Sequence, residues 1–106
     1  MISQQQINRF GQRLAATFKP ERIVLFGSYA YGAPKDDSDV DILVVMPLDE
    51  SPVDESVEIR MKLRPGFPLD LLVRTPQKIR ERLAMGDDFI RDILEKGKVL
   101  YEAAHV

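Results

Sequence analysis

The chain has no cysteine and only one histidine, His105, among its 106 residues. Disulfide frameworks and thiolate chemistry are thereby excluded, and a zinc site built on Cys and His ligands is disfavoured. Apolar runs are short as well, none approaching the ~20 residues that a membrane-spanning helix requires. The opening stretch MISQQQINRF lacks the charged-then-apolar order of a secretion signal, so a cytoplasmic location is expected. No repeat and no low-complexity segment interrupts the chain. An excess of positive charge is missing too: the net charge is −2, with acids and bases interspersed. General nucleic-acid binders usually carry a basic stripe, so nucleic acid is not the expected partner.

What is present is an ordinary globular composition, 44% hydrophobic and 30% charged, over a length that suits one domain, residues 1–106, with one core. Ser3 is placed to cap a first helix whose apolar stripe is Ile7, Phe10, Leu14 and Phe18, ending near Lys19-Pro20. Arg22 to Phe26 reads as a buried strand stopped by Gly27. Ser28 to Tyr31 suits one helical turn, and residues 32 to 38, GAPKDDS, are turn chemistry. Val40 to Val45 reads as a second strand.

Residues 48 to 56 read as a polar loop, leading to a helix over roughly 54–64 that Pro65-Gly66 breaks. Pro68 to Val73 reads as a third strand. Thr75-Pro76 starts a helix that turns Ile79 and Leu83 inward. Asp87 or Asp88 caps a last helix bearing Phe89, Ile90, Ile93 and Leu94. KVLY after Gly97 suits a short final strand. The fold class is α/β (α+β), a small mixed sheet covered by helices.

Two carboxylates open the second strand, in SDVD, and a third interrupts the apolar run FPLDLLV. Side chains alternate along a strand, so Asp39 and Asp41 share a face, ~7 Å apart by strand rise, while Val40 turns into the core. Asp70 lies with Leu72, opposite the face of Leu69, Leu71 and Val73. If these strands are neighbours, three acids meet, and two or more would be driven neutral unless a cation offsets them. Magnesium commonly uses one or two carboxylates plus substrate phosphates, and paired ions clamp the attacking and leaving oxygens of a phosphoryl displacement.

Gly27-Ser28 supplies the complement: close backbone approach, a hydroxyl and helix-start amides for phosphate. The chemistry so implied is nucleotidyl transfer, with Asp70 able to help deprotonate the attacking hydroxyl. Simpler readings stand beside it. Asp39 alone could be a turn residue, Ser28 a cap, and Lys35 a solvated loop lysine. Tyr29 and Tyr31 pack or line the site mouth. Arg60, Lys62, Arg64, Arg74, Lys78, Arg80 and Arg82 read as solvated faces. Other motifs fail on particular residues. A P-loop would need Lys-Ser/Thr where Ala33-Pro34 stands, and an EF-hand would need a glycine at Ile42 and a glutamate at Leu48.

The pattern of Gly27-Ser28, ten residues, then Asp39-x-Asp41, with a later strand aspartate at Asp70, resembles the DNA polymerase β-like nucleotidyltransferase superfamily. Within it the short chain resembles the minimal (MNT) branch of the MntA antitoxin kind. The resemblance implies magnesium, two ions, on Asp39, Asp41 and Asp70, and nucleotide phosphates on Gly27 and Ser28. It implies ATP as substrate and a HEPN-family toxin as partner. Some members of this branch AMPylate such a toxin on a tyrosine; others only bind it. No second domain like those that hold tRNA, DNA or antibiotics in larger relatives is read here, which favours an acceptor on another protein. Homo-oligomerisation is a further possibility, the route by which a small-molecule acceptor would gain a pocket.

Overall fold

The structure is a computed structural model that describes residues 1–104; His105 lies outside the described residues. Helix α1 (Gln4–Phe18) starts on a reciprocal cap. The Ser3 hydroxyl accepts from the Gln6 amide, and the Gln6 side chain accepts from the Ser3 amide, satisfying two donors that a helix start otherwise leaves unpaired. Lys19 ends it in a left-handed conformation. Then follow β1 (Arg22–Phe26), the single turn α2 (Ser28–Tyr31), β2 (Val40–Val45), α3 (Pro52–Leu63), β3 (Leu69–Arg74), α4 (Pro76–Ala84), α5 (Asp88–Lys96) and β4 (Lys98–Glu102).

Two element starts differ from the sequence expectation, both at prolines. Helix α3 begins at Pro52 within the expected loop, because Ser51 caps it by accepting from the Asp54 amide and proline suits a first helical position. Strand β3 begins at Leu69. Pro68 still contributes, since its carbonyl accepts from the Val40 amide at 2.9 Å, a role that needs no N–H.

The four strands form one mixed sheet in the order β3-β2-β1-β4. β1 runs antiparallel to both β2 and β4, while β2 and β3 are parallel. Both sheet faces are covered. Ile23, Leu25, Val40, Ile42, Val44, Leu69, Leu71 and Val73 pack with Ile7, Phe10 and Leu14 of α1 and Ile59 and Leu63 of α3. On the other face, Val24, Leu43 and Val45 pack with Ile79 of α4 and Ile90 and Ile93 of α5. A strand buried on both sides explains the unbroken apolar run from Ile42 to Val45. It also sets the terms for any acid placed on such a strand.

Candidate active site

The parallel register of β2 and β3 sets Asp41 directly opposite Asp70. Alternation assigns both to the α4/α5 face, at the mouths of their strands, where the apolar cover has ended. Val40 is fully buried on the opposite face and Leu72 packs among the α5 cluster, so the inward and outward assignments of the sequence reading hold at both strands. Asp39 sits just ahead of β2 and is exposed, as is Asp70; Asp41 is partly buried. A tight turn leads into Asp39, with the Ser38 hydroxyl accepting from the Lys35 amide at 2.8 Å and the Lys35 carbonyl from the Ser38 amide at 3.0 Å.

Electrostatically the three acids act on one another. Burial pushes the Asp41 carboxyl up to about 6, with the charges of Asp70 and then Asp39 adding to it, and a side-chain hydrogen bond with Asp70 contributing last. Asp41 and Asp70 are thus brought together, and Asp39 stands near enough to be felt. The three do not each offer an oxygen within 4.8 Å of the other two; among the described residues that spacing belongs to Glu50, Glu55 and Glu58. A donor set of hard carboxylate oxygens that repel each other at neutral pH is one that a divalent cation fits.

Gly27 closes the site from β1. Phe26, the last residue of β1, pairs with Asp41, so the chain turns beside that carboxylate. Gly27 holds φ 72° and ψ −158°, a conformation essentially reserved for glycine. A side chain there would also collide with the Asp41 carboxylate. The Gly27 carbonyl accepts from the Ala30 and Tyr31 amides, and no side chain caps this turn. The Ser28 hydroxyl is therefore not spent on capping α2. Tyr29 is buried, its hydroxyl accepting from the Ile2 amide at 3.2 Å, whereas Tyr31 is half exposed.

Two residues were missed or misplaced by sequence reasoning. Arg60, read as solvated, is partly buried and donates to the Leu69 carbonyl at 2.7 Å, tying α3 to the residue before Asp70. Phe89, which the sequence reading named with Ile90, Ile93 and Leu94 as the apolar residues of the last helix, is 58% exposed. It meets the Phe26 ring edge-on at 5.9 Å and forms an aromatic wall on the face that carries Asp41. Helical periodicity alone could not separate it from the adjacent Ile90, which is buried.

A family model described as a nucleotidyltransferase domain matches residues 7–101. The chain belongs to the nucleotidyltransferase domain family. That span takes in Gly27, Ser28 and all three aspartates. A Methanocaldococcus jannaschii protein named "putative protein adenylyltransferase" is 30% identical over 105 residues, 95% of this chain and all of that protein. The crystal structure of a "putative nucleotidyltransferase" from Sulfolobus solfataricus superposes with a TM-score of 0.62 at 21% identity, covering 92% of this chain and 78% of that one. The last likeness concerns the fold, and it agrees with the mixed sheet and its helical cover. Among the described residues no helix is long and apolar enough to cross a membrane.

Proposed function

We propose that this nucleotidyltransferase transfers AMP from ATP to a hydroxyl of a partner protein, as the antitoxin of a HEPN/MNT pair of the MntA type. The observation that carries the reading is the in-register opposition of Asp41 and Asp70 at the strand mouths, with Gly27 turned against Asp41. The full-length likeness to a protein named as an adenylyltransferase supports the choice of a protein acceptor. In the reaction the acceptor oxygen bonds to the α-phosphorus and the bond to the bridging oxygen breaks. Pyrophosphate leaves, and the hydroxyl proton passes to a carboxylate, for which exposed Asp70 is available. Gly27 and Ser28 hold the phosphates. Magnesium ions on Asp39, Asp41 and Asp70 would supply charge neutralisation at the attacking and leaving oxygens.

The test is to purify the chain with the product of its neighbouring gene and weigh that product. A gain of one or more AMP masses, lost with Asp39→Asn, is the expected result. A partner of unaltered mass that is still neutralised by the Asp39→Asn protein would instead favour a module acting by contact alone.

A further inference from the structure

Phe89 differs from the other four of the chain's five phenylalanines: they are buried or partly buried, and it alone is exposed. Its place is nevertheless fixed. Asp87 caps α5 by accepting from the Ile90 amide at 3.1 Å, and it also accepts from the Arg82 side chain of α4 at 2.8 Å. Ile90 and Ile93 then bury the inner side of the helix. The first turn of α5 is thereby pinned, and it holds a large apolar ring in water, which is unfavourable in the free protein.

The surroundings connect this ring to the transfer site. Phe26, which the Phe89 ring meets with an interplanar angle of 84°, pairs with Asp41 and runs straight on into Gly27 and Ser28. An edge-to-face contact leaves at least one face of the Phe89 ring open. Beside the ring lies a cavity of about 280 Å³, to which Leu72 and Ile90 give apolar walls. Leu72 follows Asp70 on the same face, ~7 Å along β3. Arg74, Lys78 and the Arg82–Asp87 pair supply the polar lining. Three cations against one acid favour a ligand of negative charge.

We infer that Phe89 is the platform on which the base of the nucleotide stacks, with the adjoining cavity receiving that base. Given nucleotidyl transfer as proposed above, Phe89 holds the nucleoside end of the substrate while Gly27 and Ser28 hold the phosphates. Aromatic faces stack on every base, so Phe89 contributes affinity for the nucleoside without choosing among bases. An acceptor side chain fits less well. Its hydroxyl must lie against Asp70 on β3, whereas Phe89 packs on the last residue of β1, next to the phosphate turn.

The experiment is a calorimetric titration of the full chain, in magnesium, with two probes. One is the α,β-methylene analogue of ATP, which cannot release pyrophosphate; the other is tripolyphosphate, which has no base. Phe89→Ala should weaken the analogue roughly five- to a hundredfold and leave tripolyphosphate binding unchanged, while Phe89→Tyr keeps the wild-type affinity for both. Phe89→Trp places a tryptophan in a chain that has none. Its fluorescence should be quenched by the analogue and not by tripolyphosphate, a readout that needs no comparison with a truncated side chain. Analogue binding undiminished in Phe89→Ala, both probes weakened alike, or a tryptophan indifferent to the analogue overturns the base platform and leaves the phosphate site standing. Failure of the wild-type chain to bind either probe removes the nucleotide reading and the platform together.

Discussion

Replacing Asp41 by asparagine should make the metal-free protein more stable while abolishing its transferase activity. The Asp41 carboxyl sits at about 6 in the fold against 3.8 for a free aspartate. The folded chain therefore holds that proton more tightly than the unfolded chain does, and ionisation favours unfolding. The contribution of this one group to stability is fully present below pH 3.8, is lost as pH rises from there through about 6, and then levels. In full, such a displacement is worth about 3 kcal/mol. Water reaches this partly buried group and screens it, so about 1 kcal/mol is the working figure. Asparagine keeps the shape, packs equally well against Gly27, carries no charge, and can donate from its amide to Asp70. For a chain of this size about 1 kcal/mol corresponds to a rise in Tm of roughly 4–8 °C. Melts in a chelating buffer at pH 4 and pH 7.5 decide the matter. The gap between variant and wild type should be small at pH 4 and full at pH 7.5, and magnesium should narrow it by stabilising wild type alone. A wild type that is the more stable protein at pH 7.5, or a gap indifferent to pH, would refute the electrostatic account.

Three further changes probe the parts that position the site. Gly27→Ala places a side chain against the Asp41 carboxylate at a left-handed φ, and urea unfolding should show a loss of about 2–3 kcal/mol together with lost transfer. Arg60→Ala removes the bond to the Leu69 carbonyl. It should cost about 1.5 kcal/mol and lower transfer to the partner protein, because the residue after Leu69 is Asp70. Ile93→Ala opens the core beneath α5, where Ile93 is 1% exposed. Denaturant melts should register about 2–5 kcal/mol, with the magnesium-induced rise in Tm retained.

How far the sequence can be read depends on whether the signal is local. Strands β1 and β2 were legible to the residue, since Gly27 and Met46-Pro47 punctuate them and alternation assigns their faces. Ser3 and Thr75 announced two helix starts and the Asp87-Asp88 pair a third, where Asp87 is the cap; each capping side chain accepts a backbone amide three residues on. The pairing of β2 with β3 was a supposition until the register was seen, because nothing within either strand names its neighbour. Arg60 escaped for the same reason: its partner is a backbone carbonyl nine residues on, which has no signature in residue type. The meeting of Glu50 with Glu55 and Glu58 likewise depends on how the loop folds back on α3.

The topology also explains why the acids can be there at all. Strand β2 is covered on both faces beyond Asp41, whereas β3 is buried on the α1/α3 face and only partly covered on the other, where Asp70 is exposed. Moving Asp70 one position along β3 would turn it onto the face packed by α1 and α3, among Leu69, Leu71 and Val73, where an ionised carboxylate would have no water. Moving Asp41 one position inward would do the same at Ile42, which is fully buried. The parallel register therefore fixes more than adjacency. It sets two carboxylates, Asp41 and Asp70, face to face at accessible strand mouths, with Asp41 against the Gly27 turn. The repulsion that results weakens the fold, and under the proposed function a bound cation would relieve it, so stability without metal and affinity for metal should change in opposite directions across substitutions at these two positions.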